Sequence, residues 1–325
     1  MGASDASRAP LVVVTGPTAT GKSALAIELA LRFDGEIVNA DSMQVFRFME
    51  IGSAKPTPEQ RARVPHHMLD VVTPDVPYSA GRYAVAARAA IAGIHARGKL
   101  PLLTGGTGLY IRAVVEGLIE GAEADPELRT ELEAEHARAV RDGDPQRLYR
   151  RLIDRDPEAA ARIHPNDIRR VVRALEIATA AGRPSSHVRE QHGFEDRPYR
   201  TLHLALDLDR ETLYRRIDRR CREMIDAGLL QEMRDLAQAG YGPELRPMKA
   251  IGYRHLVPVV QGADTLVNAL EAMRRDTRHF ARRQLTWLRA LPDLHWVDAA
   301  DVEACARLVE AFLSGEPEPA AARAS

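Results

Sequence analysis

The feature that most constrains this chain is a glycine-bounded loop near its amino terminus. Residues 11–14 are a short apolar, β-branched run that predicts a buried strand, and residues 24–33 have the composition and spacing of a helix. Between them lies Gly16-Pro17-Thr18-Ala19-Thr20-Gly21-Lys22-Ser23, which fits the pattern G-x-x-x-x-G-K-[ST]. Backbone amides, a helix amino terminus and the Lys22 ammonium would hold a phosphate there, and Ser23 could ligate Mg²⁺.

Strand and helix signals alternate along the first part of the chain. Apolar runs at 36–40, 69–72 and 100–104 predict further strands, and segments 80–96 and 108–116 predict helices. This alternation is typical of parallel βαβ units with helices on both faces of a sheet. We therefore predict an α/β fold, with a parallel sheet flanked by helices.

The pattern changes near residue 117. Strand signals vanish from there to about residue 200, and short amphipathic helices broken by Pro and Gly take their place. Strand and helix signals then return, at 201–208, 210–240, 263–291, 295–297 and 302–313. We predict an α/β core made of residues 1–116 and 201–315, a helical insertion at 117–200 and a flexible tail at 316–325.

Charge and cysteine content narrow the class of protein. The chain has 45 Lys and Arg against 46 Asp and Glu, a formal net charge of −1, which excludes a protein coated in positive charge. Cys221 and Cys305 are its only cysteines, so neither a disulfide framework nor a cysteine-ligated zinc site is available. No segment resembles a signal peptide or a membrane span. We expect a soluble, cytoplasmic monomer with no membrane partner.

The phosphate loop alone does not choose the reaction, because a kinase, an NTPase and a diphosphate-cleaving transferase would all use it. Asp41 closes the apolar run at 36–40. Because the carboxyl ends of parallel strands share one crevice, Asp41 should face the phosphate loop. Asp41, with Asp70 as a weaker alternative, is a candidate for holding Mg²⁺.

Several further motifs follow one another along the chain. They are Asp41 to Arg47, Ile51 to Pro56, Leu102 to Tyr110, Ile163-His164-Pro165-Asn166-Asp167, Arg173-Ala174-Leu175-Glu176, Arg216 to Arg220, Ile251-Gly252-Tyr253-Arg254 and Arg282-Arg283-Gln284-Leu285-Thr286-Trp287-Leu288-Arg289. With the phosphate loop, they resemble the tRNA dimethylallyltransferase family, also called tRNA isopentenyltransferase. The sequence departs from the commonest pattern at Phe46, where tyrosine is frequent, and at Gly108, where a larger residue is usual.

The resemblance implies transfer of a dimethylallyl group from dimethylallyl diphosphate to N6 of the adenosine 3′-adjacent to the tRNA anticodon, with release of diphosphate. It implies a P-loop NTPase-like sheet with an inserted tRNA-binding domain. Asp41 would be the general base for the weakly nucleophilic adenine amine. Thr107 and Arg220 would stabilise the departing diphosphate, together with the phosphate loop and Mg²⁺ near Ser23.

The resemblance also implies that the adenosine is flipped out of its stack and that the anticodon loop is held through its backbone and splayed bases. The implied tRNA-binding residues are Asp41, Ser42, Met43, Gln44, Thr107, Arg129, Arg169, Arg170, Val171, Val172, Arg173, Lys249, Ala250, Ile251, Gly252, Tyr253 and Arg254.

Plainer interpretations compete with these roles. Asp41 could cap a turn, Thr107 could cap a helix, and the arginine run around Arg220 could be a solvated helix face. The arginines at 169–173 could pair with Asp167 and Glu176. Three rival functions stay open: a small-molecule kinase that uses ATP, an isopentenyltransferase acting on free adenine nucleotides, and a noncatalytic RNA-binding module.

Overall fold

A six-stranded parallel sheet organises the larger part of the molecule. The computed structural model describes residues 8–117, 125–192 and 197–316. Within them the strands are β1 (Ala9–Thr15), β2 (Gly35–Asn39), β3 (His66–His67), β4 (Leu100–Gly105), β5 (Tyr199–Leu206) and β6 (His295–Val297). Their order is β3-β2-β4-β1-β5-β6, and all neighbours are parallel. The predicted α/β fold is confirmed.

Helices fill the connections between the strands. Those that precede the insertion are α1 (Lys22–Arg32), α2 (Pro58–Arg63), α3 (Ala80–Ala96) and α4 (Gly108–Val115). The next five are α5 (Pro126–Arg141), α6 (Arg147–Arg155), α7 (Pro157–Arg162), α8 (Ile168–Ala180) and α9 (Ser185–His192). The last five are α10 (Arg210–Asp226), α11 (Leu229–Gln238), α12 (Tyr253–Val260), α13 (Leu266–Arg289) and α14 (Val302–Ser314), with a 3₁₀ turn at Pro247–Lys249.

The sheet separates two apolar layers, because successive side chains of a strand point to opposite faces. Leu11 and Val13 of β1 pack with residues of α3, α4 and α10 to α13. Val12 and Val14 pack instead with residues of α1 and α14. All four side chains are fully buried. Burial on both faces explains why this strand is a continuous apolar run.

Residues 116–197 form a compact unit distinct from the rest of the chain. This unit, made of α5 to α9, has its own apolar cluster, which includes Leu148, Leu152, Val171 and Leu175. Its limits fall close to those predicted from the loss of strand signals. The predicted flexible tail lies, from residue 317 onward, outside the described residues.

Three local predictions were wrong or incomplete. The third strand is β3 rather than 69–72, because positive φ angles at Met68 (64°) and Asp70 (54°) break extended structure there. The helix predicted at 210–240 is two helices, α10 and α11, interrupted where Gly228 adopts a φ of +103°. Helix α12 was missed because Pro258 lies inside it.

Both cysteines are buried free thiols, as the absence of a disulfide pattern predicted. No helix in the described part of the chain is both long enough and apolar enough to cross a lipid bilayer.

Candidate functional site

Three loops that follow β1, β2 and β4 emerge at the same edge of the sheet. These strands are neighbours, with Val14 and Asn39 both in register with Thr104. Gly105 approaches the loop after β2 so closely that an added Cβ would lie 2.1 Å from the Ala40 carbonyl oxygen. The topology therefore brings the phosphate loop, Asp41 and Thr107 to one crevice, as expected for the carboxyl edge of a parallel sheet.

The Thr20 side chain and two glycines set the conformation of the phosphate loop. The Thr20 hydroxyl is buried and donates to the Pro17 carbonyl at 2.8 Å. A Cβ on Gly16 would lie 2.9 Å from the Leu206 carbonyl oxygen, and Gly21 has a φ of +102°. Gly21 is also the N-cap of α1 and supplies no side-chain cap to the amides of the first turn. Those amides and the positive end of the helix dipole can therefore serve an anion.

Lys22 lies among the charged groups of the site. Its Nζ donates to the Pro17 carbonyl at 2.6 Å. Burial and, to a smaller extent, the positive charge of Arg220 lower the pKa of Lys22 to about 7, although Asp41 acts in the opposite direction. The ammonium is therefore poorly stabilised by the protein alone, and a bound anion would favour it.

Asp41 lies on the loop after β2, and its Oδ1 accepts the Met43 amide at 2.8 Å. Burial raises its pKa, while the Met43 amide and then the charge of Lys22 act in the opposite direction. Arg220 also acts on it, although α10 is far away in the sequence. The structure thus brings Lys22, Asp41 and Arg220 within electrostatic reach of one another, as the motifs predicted. The turn-capping interpretation of Asp41 also holds, since one oxygen caps Met43.

Thr107 contacts the Asp41 loop directly. Its hydroxyl accepts the Ser42 amide at 3.0 Å and lies 3.3 Å from the Ser42 hydroxyl. Its own amide donates to the Ala40 carbonyl at 3.1 Å. These contacts fix the Thr107 hydroxyl next to the segment that carries the candidate base.

Arg220 belongs to an arginine-rich cavity rather than to a solvated face. A cavity of about 620 Å³ lies between the phosphate loop, at Ala19 and Gly21, and four arginines of α10. Arg216 donates to the Thr20 carbonyl at 3.4 Å, and burial lowers the pKa of Arg220. The other two arginines, Arg215 and Arg219, pair with Glu211 and Glu223. All four line the cavity, but only Arg215 and Arg219 are paired with glutamates of their own helix.

The loop between Asp41 and Pro56 is held from within by Gln44 and Lys55. The Gln44 amide is buried and donates to the carbonyls of Ser53 (3.3 Å) and Ala54 (3.1 Å). The Lys55 ammonium is fully buried and donates to the Phe46 carbonyl (2.7 Å), Glu50 (2.7 Å) and Asp70 (2.5 Å). The side-chain amide of Gln44 is therefore committed to its own loop, and Asp70 is an ion-pair partner rather than a magnesium candidate.

Glu232 ties that loop to the segment at 249–254. Its carboxylate accepts the amides of Glu50, Ile51 and Gly52 at 2.7 to 3.0 Å. It also accepts the Tyr253 hydroxyl at 2.7 Å. Tyr253 is fully buried, so its ring shapes this surface and cannot contact RNA in this conformation, whereas Lys249 and Arg254 are exposed. Glu232 was not identified from the sequence.

In the helical unit, three of the four predicted tRNA-binding arginines have acidic partners. Arg129 lies 2.7 Å and Arg173 lies 3.4 Å from the buried carboxylate of Glu176, and Arg170 lies 3.2 Å from Asp167. Arg169 is exposed. Val171 and Val172 are buried in the cluster of this unit, so their side chains do not reach a ligand. The ion pairs of the plainer interpretation are therefore present, and contact with tRNA remains a prediction.

The residues present fit a magnesium ion held mainly by a bound phosphate. The Ser23 hydroxyl is exposed at the start of α1. No group of three or more His, Cys, Asp or Glu side chains suited to a metal occurs among the described residues. Mg²⁺ commonly binds through few protein ligands, several waters and substrate phosphates, which suits a single hydroxyl beside a phosphate loop.

The chain is similar to known tRNA-modifying proteins over almost its whole length. The family model described as IPP transferase matches residues 44–291, and that described as isopentenyl transferase matches residues 9–70. A tRNA dimethylallyltransferase of Syntrophobacter fumaroxidans is 50% identical over 292 residues, which cover 90% of this chain and 84% of the relative. The tRNA dimethylallyltransferase 2 of Geotalea uraniireducens is 48% identical over 304 residues, covering 93% and 97%.

Solved structures agree with these matches. The tRNA isopentenylpyrophosphate transferase of Bacillus halodurans aligns with a TM-score of 0.70 at 36% identity, covering 95% of this chain and 97% of that one. A eukaryotic dimethylallyltransferase acting on tRNA aligns with a TM-score of 0.82 at 30% identity, covering 95% and 81%.

Proposed function

The chain belongs to the IPP transferase family, and from that premise we propose that it takes its prenyl group from dimethylallyl diphosphate and transfers it to tRNA. We propose further that the acceptor is N6 of the adenosine 3′-adjacent to the anticodon, and that diphosphate is released. The observation that carries this proposal is that the phosphate loop, the Asp41 segment bonded to Thr107 and the cavity lined by Arg220 meet at one edge of the sheet. Two cations and one carboxylate supply an anion site beside a proton acceptor.

The donor's diphosphate is assigned to the phosphate loop. Its proposed ligands lie in the loop from Gly16 to Ser23. Because Gly21 has no side chain to cap α1, the backbone amides of the first helical turn are available to the diphosphate. Lys22 and Arg220 would neutralise the charge that accumulates on the diphosphate as the bond to the dimethylallyl carbon breaks. The Thr107 hydroxyl would donate to the same leaving group from the opposite loop.

Asp41 is assigned as the proton acceptor for the adenine amine. The lone pair of N6 is delocalised into the ring, so removal of its proton as the carbon–nitrogen bond forms lowers the barrier. Burial raises the pKa of Asp41, which makes its carboxylate a stronger base than an exposed one. The positive charges of Lys22 and Arg220 oppose that rise and favour the ionised form that accepts the proton.

Mg²⁺ would bind the Ser23 hydroxyl and the diphosphate, and would supply further charge neutralisation for the leaving group. Its involvement is tested by chelation. Removal of Mg²⁺ should lower affinity for the donor more than affinity for tRNA.

The tRNA is assigned to two sets of residues. One set is on the sheet-containing unit, at 41–44 and at the exposed side chains of Lys249 and Arg254. The other is on the helical unit, at Arg129 and on α8 at Arg169, Arg170 and Arg173. The adenosine must leave its stack to reach a crevice at a sheet edge, which implies base flipping. The monomeric state stays a prediction.

The test is an assay with radiolabelled dimethylallyl diphosphate, Mg²⁺ and three acceptors: unmodified tRNA, free AMP and water. We expect label in tRNA and none in AMP. Label in AMP alone would support the rival isopentenyltransferase that acts on free adenine nucleotides. Hydrolysis of ATP without prenyl transfer would support a kinase or NTPase, and tRNA binding without transfer would support a noncatalytic module.

A further inference from the structure

One buried side chain of α13 joins the two loops between which the proposed reaction takes place. Gln284 is 8% exposed. Its amide oxygen accepts the backbone N–H of Thr18 in the phosphate loop at 2.9 Å. Its amide nitrogen donates to the Gly106 carbonyl at 2.9 Å, one residue before Thr107. A single planar amide thus spans the gap between the loop after β1 and the loop after β4.

The fit around Gln284 is close. A Cβ on Gly106 would lie 2.3 Å from the Gln284 amide nitrogen, so a larger residue at position 106 would displace that amide. One turn further along α13, the Trp287 ring lies where a Cβ on Gly108 would approach to 2.6 Å. Helix α13 therefore contacts the chain on both sides of Thr107. Gly108, a departure from the family pattern, is the residue that admits the indole.

We propose that Gln284 is a positioning residue that sets the separation of the donor and acceptor halves of the site. The inference rests on the proposed function, in which the phosphate loop holds the donor, Thr107 donates to the departing diphosphate from the opposite loop, and Asp41 accepts the proton of the adenine amine. Thr107 is bonded to Ser42 and Ala40, so a shift of residue 106 moves the segment that carries Asp41. Because bond formation requires the reacting atoms within a narrow range of distance and angle, a small change in this separation lowers the rate.

The chemistry of the side chain explains why glutamine suits this position. The two loops present one donor, the Thr18 N–H, and one acceptor, the Gly106 carbonyl, and a carboxamide is complementary to both. With a glutamate at this position, one carboxylate oxygen would still accept the Thr18 N–H. The other would face the Gly106 carbonyl oxygen, which it would repel. A methionine has a similar length and would make neither hydrogen bond.

The test compares Gln284→Met and Gln284→Glu with the wild type and with Gln238→Met, an exposed glutamine near the end of α11. Each protein is assayed for prenyl transfer at saturating donor and tRNA, for the KM of each substrate, and for tRNA binding and thermal unfolding. We expect both Gln284 variants to lose about 100-fold in kcat. The two KM values and tRNA affinity should change by less than about threefold, and Gln238→Met should match the wild type.

Three results would overturn the inference. They are an unchanged kcat, a rise in the KM for tRNA alone, which would make Gln284 an RNA contact, and a loss of activity that disappears once rates are expressed per folded molecule. If Gln284→Met does not fold, Gln284→Glu is judged by the same criteria. An inactive wild type would contradict the proposed function, whereas an active wild type with equally active Gln284 variants would contradict only this inference.

Discussion

At the scale of single residues, the site combines one carboxylate with two cations that are costly to bury. Asp41→Asn keeps the size and the oxygen that caps Met43 but removes the proton acceptor. We expect kcat to fall by about 10² to 10⁴ with tRNA affinity retained. Single-turnover rates and tRNA binding measured on the same preparation check this. An equal loss of both would make Asp41 a binding residue.

Lys22 yields a second prediction at this scale. Its pKa of about 7 makes it mostly neutral in the free protein at pH 8, and a diphosphate favours its charged form. Binding of a non-transferable donor analogue at pH 8 should therefore take up a proton, and affinity should fall as pH rises through 7. Calorimetry in two buffers of different ionisation enthalpy measures the uptake. Lys22→Met should abolish it, and equal uptake by this variant would contradict the assignment.

Residues within a short motif could be predicted from the sequence, whereas those that act across the fold could not. Lys22 lies in a contiguous pattern, and Asp41 follows a visible strand. Gln284 bonds to Thr18 across 266 positions, and Glu232 bonds to Gly52 across 180. Gln284 stood in a recognised motif, but a motif does not tell whether a side chain faces the ligand or another loop. Only tertiary geometry separates these roles.

At the scale of elements, the loop from Asp41 to Pro56 is held by a buried lysine. Lys55→Met would leave the Phe46 carbonyl without this donor and two carboxylates, Glu50 and Asp70, side by side. Water can still hydrate those partly exposed carboxylates, so the loss is smaller than for a fully buried pair. We expect the free energy of unfolding to fall by about 2–4 kcal/mol. Chemical denaturation measures the change.

The matched control is Lys99→Met, because Lys99 also pairs with an aspartate, Asp34, at 2.8 Å, but on the surface. An exposed ion pair contributes little, so this variant should unfold like the wild type. Equal effects of the two substitutions would contradict the structural role of Lys55. Burial of one ammonium and exposure of the other thus account for the different expected effects of the two substitutions on the free energy of unfolding.

Elements with strong periodicity were predicted well, and those set by backbone angles were not. Strand β1 follows from a continuous apolar run, and helix α13 follows from a long amphipathic segment that contains neither Gly nor Pro. The position of β3 depends on left-handed residues at Met68 and Asp70, which side-chain hydrophobicity does not report. The break after α10 depends on Gly228, a residue that a helix tolerates in other contexts.

At the scale of the whole molecule, a net charge of −1 requires that RNA be held by local groups rather than by the overall field. Arg169 is exposed on α8 and is one of the proposed phosphate contacts. Arg169→Ala should weaken binding of tRNA and lower the slope of log affinity against log salt by about 0.7 to 0.9. Arg307→Ala, on exposed α14 surface, should leave the slope unchanged. Equal slopes for all three proteins would remove Arg169 from the interface.

The most direct test of the central claim is to locate the product. An unmodified tRNA is incubated with the protein, Mg²⁺ and dimethylallyl diphosphate, then digested, and its nucleosides and fragments are identified by mass spectrometry. The account predicts one dimethylallyl group on N6 of the adenosine 3′-adjacent to the anticodon, and none when that adenosine is replaced by guanosine. A prenyl group on another nucleoside, or transfer only to free AMP, would contradict it.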